Sequence, residues 1–331
     1  MPRVFIGIPT FNRPGYVAET IRSVLAQTFS DWVAIVSDNV STPENSAAVR
    51  RAVADLGDPR VAFHQQSENG GEYGQGRFFF RAAEGCDYFL ILHDDDLLRP
   101  DYLATAVAAL DRERGLSVFV ANCTAIDAQG ADRPEFTAWY LEQHGRRSLR
   151  SGAFDLLEVG FVRGCVPICG TVFRRDDLAR VGFVDPDGRG NYPFELDVIL
   201  RTCDQKLRGW FDDRPLVTFR FHDAALRKQD RLLENAAIIN SMIRLLAQRR
   251  FTGPPERYRR TLLSRLHRAL ADVAIAERRY PAARQSMLRA LGTGGFNPRT
   301  WCRAPAVLLF PGWLRRPGNS EKGIVPKALQ S

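Results

Sequence analysis

The chain has 331 residues, 45% hydrophobic and 25% charged, the composition of a soluble globular protein with room for one large domain and an appendage or for two ordinary domains. No stretch reaches the roughly 20 apolar residues of a membrane-spanning helix, and the opening MPRVFIGIPTFNRP lacks the continuous apolar region of a secretory signal. The net charge of +8 conceals a division, because residues 226–331 carry 21 Lys/Arg against 6 Asp/Glu, a net of +15, and residues 1–225 are left at −7.

Short apolar runs of strand length occupy residues 4–9, 32–38, 60–64, 88–93 and 116–122. Between them the spacing predicts helices. Val17, Ile21, Val24 and Leu25 share a face, as do Val49, Val53 and Leu56, and then Leu103, Val107 and Leu110. Pro14 and Pro100 sit where helices are expected to start, near the first helical position. Alternating strands and helices imply an α/β fold whose parallel sheet is covered on both faces. Ligands of such sheets bind outside the carboxyl ends of the strands.

The residues leaving each strand are unusually polar. Pro9-Thr10-Phe11-Asn12-Arg13 follows the first, Ser37-Asp38-Asn39-Val40-Ser41-Thr42 the second, Glu68-Asn69-Gly70-Gly71 the third and Asp94-Asp95-Asp96 the fourth. Acidic turns are common, but four polar clusters on one rim favour a binding site over independent turns. Three adjacent carboxylates repel one another, and such sites raise a pKa or recruit a cation. Their hard oxygens suit Mg²⁺ or Mn²⁺, and such an ion bridges phosphates. Asp38 is placed to accept a hydrogen bond from a base N–H, and Phe11 offers a ring face to that base. The chemistry fits a nucleoside diphosphate. GEYGQG at 71–76 does not follow the dinucleotide fingerprint and is set aside.

IPTFNRP at 8–14, Gln27-Thr28, SDNVST at 37–42 and DDDLLRPDYL at 94–103 stand in the order of the signatures of the family 2 glycosyltransferases, which the chain resembles over roughly residues 1–222. The resemblance implies a GT-A fold, a Rossmann-like, mostly parallel sheet flanked by helices, with an α-helical C-terminal extension. The glycosyltransferase domain would span 1–225, its nucleotide-sugar half about 1–125 and its acceptor half about 126–225, with a basic helical region over 226–331. The implied activity is inverting transfer of a sugar from a nucleoside-diphosphate sugar, UDP-sugar favoured, to an acceptor hydroxyl in cell-surface glycan or glycoconjugate synthesis. Donor contacts would fall to Pro9, Thr10, Phe11, Asn12, Asp38, Asn69, Gly70, Arg77 and Asp94. Mg²⁺ or Mn²⁺ would be held by Asp95, Asp96 and His222. The segment 166–185 resembles the acceptor side, and in the following FELDVILR Glu195 takes the place of the general base, with Asp197 orienting it or capping the helix. Arg220 and Arg227 are candidates for pairing with the diphosphate. The chain departs from the family at His93, where many members carry an aspartate, and at Gln75-Gly76-Arg77, where many carry Ala-Arg-Asn. Arg77 remains either a phosphate or sugar contact or a surface arginine at a helix start.

Residues 226–291 read as helices, with one stripe through Leu232, Leu233, Ala236, Ala237 and Ile243 and another through Leu262, Leu266, Ala269, Leu270 and Val273. TGPPE at 252–256 reads as a break, and 274–291 as a helical hairpin. Trp301 to Arg316 mixes Trp, Leu, Phe and Arg around prolines, a composition that suits an interfacial patch better than a long helix. Peripheral contact with an anionic membrane through 226–331 is one reading of the charge, and a solvated helical cap is the other. No nucleic-acid motif accompanies it. The six cysteines form no C-x-x-C pair and are expected to be reduced and mostly buried, which fits the cytoplasm, peripherally at the inner face of the membrane. Acceptors in such a family run from glycans to lipid-linked and protein hydroxyls. Two rival classes remain, a sugar-phosphate nucleotidyltransferase and a non-catalytic nucleotide-sugar-binding protein. A glycoside hydrolase would need no nucleotide rim.

Overall fold

The computed structural model describes residues 1–183, 193–221, 235–295 and 297–314. They form two units, one of 1–183 with 197–221 and one of 193–196 with 235–295 and 297–314.

The first unit is built on a nine-stranded sheet. Strands β1 (Val4–Thr10), β2 (Trp32–Asp38), β3 (Val61–Gln65) and β4 (Tyr88–Ile91) run parallel in the order β3-β2-β1-β4. Helices α1 (Pro14–Leu25) and α2 (Pro43–Leu56) alternate with them as the spacing predicts, and α3 (Gly71–Ala82), which no expected stripe covers, follows β3. The strand period of two divides β1 between two layers. Val4, Ile6 and Ile8 enter a core with Val17, Ile21, Val24 and Val49, whereas Phe5 joins Phe79 and Phe89 on the other face. Register matters for the site. Thr10 lies opposite Asp38 and Asp38 opposite Gln65, so β1, β2 and β3 end at one level, while β4 stops at Ile91, opposite Gly7, and the residues after it run on toward that level.

Beyond β4 the sheet becomes mixed. A short β5 (Leu97–Leu98) precedes α4 (Tyr102–Arg112), β6 (Val118–Ile126), α5 (Pro134–Gln143) and β7 (Gly152–Asp155). A π-helical segment, Leu156–Val162, leads toward β8 (Thr171–Arg174), α6 (Arg175–Val181), α7 (Phe194–Asp204) and β9 (Arg208–Arg220). β8 inserts antiparallel between β4 and β6, and β9 runs parallel to β6 while taking β5 and β7 as antiparallel partners. Pro14 opens α1 as expected. Pro100 does not open α4. It stands two residues ahead of Tyr102, its carbonyl accepting from Thr28 N–H at 2.8 Å, and Asp101 takes the cap position.

The second unit is helical, with helices Ala236–Ala247, Gly253–Ala276, Tyr280–Gly292 and Pro298–Leu309. The hairpin expected at 274–291 is present, and Ala271, Ala274, Ala283, Met287, Ala304 and Val307 share its core. In the first of these helices the buried positions are Ile239, Ser241, Leu245 and Leu246, so the true stripe differs from the expected one, two of whose leucines, Leu232 and Leu233, lie outside the described residues. The expected break at 252–256 is a helix start, since Pro254 and Pro255 fall in the first turn, where no amide partner is needed. The Trp301 segment is a correction. It forms a twelve-residue helix through Pro305, because Thr300, Ala304 and Val307 bury one face while Pro305 stays exposed. Five of the six cysteines are buried, and Cys302 is exposed. Among the described residues no helix is long and apolar enough to cross a membrane.

Candidate active site

The carboxyl ends of β1, β2 and β4 bring most of the expected donor residues to one rim. Two loops there are bonded to each other. Asn12 donates its N–H to Ser41 Oγ at 2.8 Å, while its Oδ1 accepts from Thr42 N–H at 2.9 Å and from Asn45 Nδ2 at 3.2 Å. Asn12 and Val40 both occupy the left-handed region, at φ 54° and 64°. For a β-branched residue such as Val40 this conformation costs about 1–3 kcal/mol, and strain of that kind concentrates at functional sites. Phe11, 46% exposed, presents its ring to solvent from the first of these loops.

Asp38 is fully buried. Its Oδ1 accepts from the Ser41 N–H and hydroxyl, but Oδ2 meets no hydrogen-bond partner among the described residues. Asn69 closes the rim on the third side, its Oδ1 accepting from Gly71 N–H at 3.1 Å and Asn39 Nδ2 at 3.0 Å. Gly70 is needed for close approach, since a Cβ there would lie 2.9 Å from Gly74 Cα. Pro9 is the penultimate residue of β1, and Arg77 lies mid-helix in α3, half-buried.

The acidic motif departs from an exposed turn. Asp94, Asp95 and Asp96 are all buried, and the Arg13 guanidinium answers the charge of the first two. Arg13 Nη1 donates to Asp95 Oδ2 at 2.6 Å, and Nη2 stands 2.9 Å from Asp94 Oδ1. Burial nevertheless pushes the Asp94 carboxyl up to about 6, with Arg13 opposing the rise. The Thr10 hydroxyl opposes it as well, although neither Asp94 oxygen receives a well-aligned hydrogen bond among the described residues.

Asp96 is engaged differently. Its Oδ1 accepts from Arg220 N–H at 3.0 Å and its Oδ2 from the Cys169 thiol at 3.0 Å. Burial and the Asp95 charge raise its carboxyl above the usual range. His93 is exposed, with Nδ1 3.7 Å from Asp96 Oδ2, and His93, Asp96 and Cys169 each bring one donor atom within 4.8 Å of the others. Arg220, expected at the diphosphate, is instead a buried structural residue. Its Nε donates to Asp95 O at 3.1 Å and its Nη2 to Glu19 at 2.7 Å, and its plane covers the Tyr16 ring. His222 and Arg227 lie outside the described residues.

In α7 the two expected carboxylates part company. Asp197 is fully buried, accepting from Tyr73 OH at 2.8 Å and Arg201 Nε at 2.9 Å. Glu195, two residues earlier and so about 200° around the helix, is exposed. Sequence reading missed Tyr73 as the partner of Asp197, Cys169 and Arg220 as anchors of Asp96, and Arg13 as the counter-charge of the motif. Only Arg13 carried a signal, its place in the polar run that leaves β1.

A divalent cation fits the donor chemistry. Asp94 and Asp95 supply hard oxygens beside a single guanidinium that balances two charges, whereas Asp96 already accepts a hydrogen bond at each oxygen. Among the described residues, buried polar atoms without a well-aligned hydrogen bond recur at these strand ends, at Thr10 Oγ1, Asp38 Oδ2, Asn39 Oδ1 and both oxygens of Asp94, and in α3 at both amide atoms of Gln75. Native interiors seldom tolerate such groups unless something else satisfies them.

Residues 5–181 match the family Glycosyl transferase family 2. Galactofuranosyltransferase GlfT2 of Mycolicibacterium smegmatis is 33% identical over 111 residues, which are 32% of this chain and 17% of that protein. The chain thus matches well under half the length of the first curated relatives. Among solved structures, Staphylococcus aureus TarS 1–349 superposes with a TM-score of 0.63 at 14% identity over 92% of this chain and 88% of that one. The mannosyltransferase PcManGT of Pyrobaculum calidifontis, solved with GDP-Man and Mn²⁺, superposes with a TM-score of 0.53 at 18% identity over 93% and 85%. At these identities the likeness establishes the GT-A fold.

Proposed function

The chain belongs to glycosyl transferase family 2, and from that premise we propose that it is an inverting glycosyltransferase. It moves a sugar from a nucleoside-diphosphate sugar, UDP-sugar favoured, to an acceptor hydroxyl of a glycan, a lipid-linked saccharide or a protein. The observation that carries this reading is the row of unsatisfied buried polar atoms at the strand ends. Asp38 Oδ2 has the position and acceptor character to take a base N–H. Phe11 and the bonded loops around Asn12 and Ser41 frame the base, and Asn69, Gly70 and Arg77 border the diphosphate.

Asp95, with Asp94 beside it, would hold Mg²⁺ or Mn²⁺. That ion supplies Lewis-acid neutralisation of the departing diphosphate. Asp96 keeps the motif in place through Cys169 and Arg220. Glu195 is the general base, because an acceptor proton needs an accessible carboxylate. Asp197 has both oxygens engaged and no exposure, so its role is to fix the start of α7.

The test is a thermal-shift panel of UDP- and GDP-sugars with Mg²⁺ or Mn²⁺, since a ligand that binds only the folded chain raises its apparent stability. Released nucleoside diphosphate and a product of inverted anomeric configuration would support the reading. Consumption of a nucleoside triphosphate with release of pyrophosphate would instead reveal a nucleotidyltransferase.

The helical unit adds a peripheral membrane contact on the cytoplasmic side. Trp301, Leu309, Phe310 and Trp313 are exposed there, the last two with ring centroids 6.1 Å apart. Amphipathic aromatics beside arginines such as Arg299 suit an anionic interface.

A further inference from the structure

Gln75 is the first of the three residues at which the chain departs from the family's Ala-Arg-Asn run. It lies in the second turn of α3 and is 5% exposed, and neither Nε2 nor Oε1 finds a partner among the described residues. A buried amide with both ends unmet weakens the fold that contains it. Such a group persists where something outside the chain satisfies it.

Its place follows from its neighbour one turn on. Phe79 packs flat against β1, so closely that a Cβ on Gly7 would lie 2.5 Å from the ring. Phe5, Gly7 and Pro9 share that face of the strand. As a crossover helix between parallel β3 and β4, α3 runs back from the carboxyl ends of the strands. Gln75 stands one turn before Phe79 and therefore about 5.4 Å nearer those ends. That step corresponds to between one and two strand residues, which brings Gln75 from the level of Gly7 to that of Pro9 at the rim.

A carboxamide carries a donor and an acceptor side by side. A phosphate would satisfy Nε2 and leave Oε1 unmet, and a metal ion would do the reverse. Adjacent hydroxyls answer both, because each O–H donates and accepts. We propose that the Gln75 carboxamide binds a pair of neighbouring hydroxyls of the donor, either of the transferred sugar or of the ribose. This rests on the nucleotide-sugar reading above.

The experiment compares wild type with Gln75→Met and Gln75→Glu in thermal stability and in affinity for a nucleotide sugar, its nucleoside diphosphate and the 2′-deoxy diphosphate. Gln75→Met keeps length and removes an unsatisfied polar group, so its melting temperature should equal or exceed that of wild type without ligand. Its affinity for the nucleotide sugar should fall roughly tenfold or more, the equivalent of about 1.4 kcal/mol or above. An unchanged diphosphate affinity assigns the hydroxyls to the sugar. A loss on the diphosphate that vanishes with the 2′-deoxy form assigns them to the ribose. Gln75→Glu keeps the acceptor but loses the amide donor, and should also weaken binding. Wild-type affinity in Gln75→Met overturns the proposal while leaving the enzyme's function intact, as does a fall in its melting temperature with equal losses on all three ligands. A wild-type protein that binds no nucleotide sugar overturns both.

Discussion

The Arg13 guanidinium donates to Asp95 at 2.6 Å and stands 2.9 Å from Asp94, so one side chain bridges two of the three motif carboxylates. Arg13 immediately precedes Pro14, the first residue of α1, and the fixed helix start sets the position of its backbone. On the proposed reading the same two carboxylates would hold a divalent ion, and Arg13 would then share or yield them when the donor and its ion bind. A planar guanidinium bonds carboxylates edge-on but cannot gather phosphate oxygens as an ion does.

Asp95→Asn should therefore lower metal-supported donor binding and reduce transfer by about 10²–10³, the range seen when a group that stabilises developing charge is removed. The measurement is donor affinity with and without the divalent ion, alongside turnover. Full activity in thoroughly chelated wild type, or in Asp95→Asn, would sink the metal assignment.

For the base, Glu195→Gln keeps shape but cannot accept a proton. Turnover should fall by about 10²–10⁴ while nucleotide-sugar affinity and melting temperature stay near wild type. Asp197→Asn should behave in the opposite way, because Tyr73 and Arg201 would lose a charged acceptor inside the fold. It should cost about 1–3 kcal/mol of stability, with residual turnover in the folded fraction. A folded, inactive Asp197→Asn beside an active Glu195→Gln would move the base to Asp197.

A third expectation concerns acid stability and lies at the amino ends of the strands. Arg3 donates to Asp111 at 2.8 Å and to Asp87 at 2.7 Å, and the hydrogen bonds from Arg3 hold the Asp111 carboxyl down to about 2. A depressed carboxyl contributes stability that is present above its ordinary value of 3.8 and is lost as pH falls from there through about 2. Because both side chains are substantially exposed, the contribution should stay below ~1 kcal/mol. Denaturant midpoints followed across that window should fall less steeply in Arg3→Met than in wild type. Parallel curves would remove Arg3 as the cause. Tyr88, buried and donating to Asp111 at 2.6 Å, is pushed up to about 12, so its contribution is present at neutral pH and lost between pH 10 and 12.

The parallel half of the sheet was legible because its strands are short apolar runs and most are followed by a helix with a clean stripe, as in VFIGIP and Val17-Ile21-Val24, whereas α3 after β3 showed none. Two of the strands beyond β4 were not. Thr171–Arg174 is only four residues long, and Arg208–Arg220 carries charged residues and a register shift against β6, so neither shows continuous apolar character. At the rim, Asp38 and the acidic motif were visible as polar residues at strand exits. That the three aspartates are buried was not, because the groups that make burial tolerable come from distant segments: Arg13, Cys169 and Arg220. Gln75 was invisible for another reason. An unpartnered amide is a property of packing, and nothing in GEYGQG distinguishes it from a solvated glutamine.

The helical unit yields the last prediction. Residues 226–331 hold a net +15, and exposed arginines such as Arg257, Arg265, Arg284 and Arg299 stand on the same unit as exposed Trp301, Leu309, Phe310 and Trp313. Basic groups near an anionic surface contribute about 1 kcal/mol each at best, and the term decays within a Debye length of roughly 8 Å at physiological salt. The aromatic and aliphatic side chains add burial that salt does not screen. The two parts therefore separate experimentally. Sedimentation with anionic vesicles should be strong at low salt and weaken as salt rises, whereas neutral vesicles should retain little protein. Trp301→Ala with Trp313→Ala should reduce the salt-resistant fraction without changing the salt slope, and Arg284→Gln with Arg299→Gln should flatten that slope. Equal binding to neutral and anionic vesicles would dismiss the charge contribution, and vesicle binding unaffected by either pair of substitutions would dismiss this face as the contact.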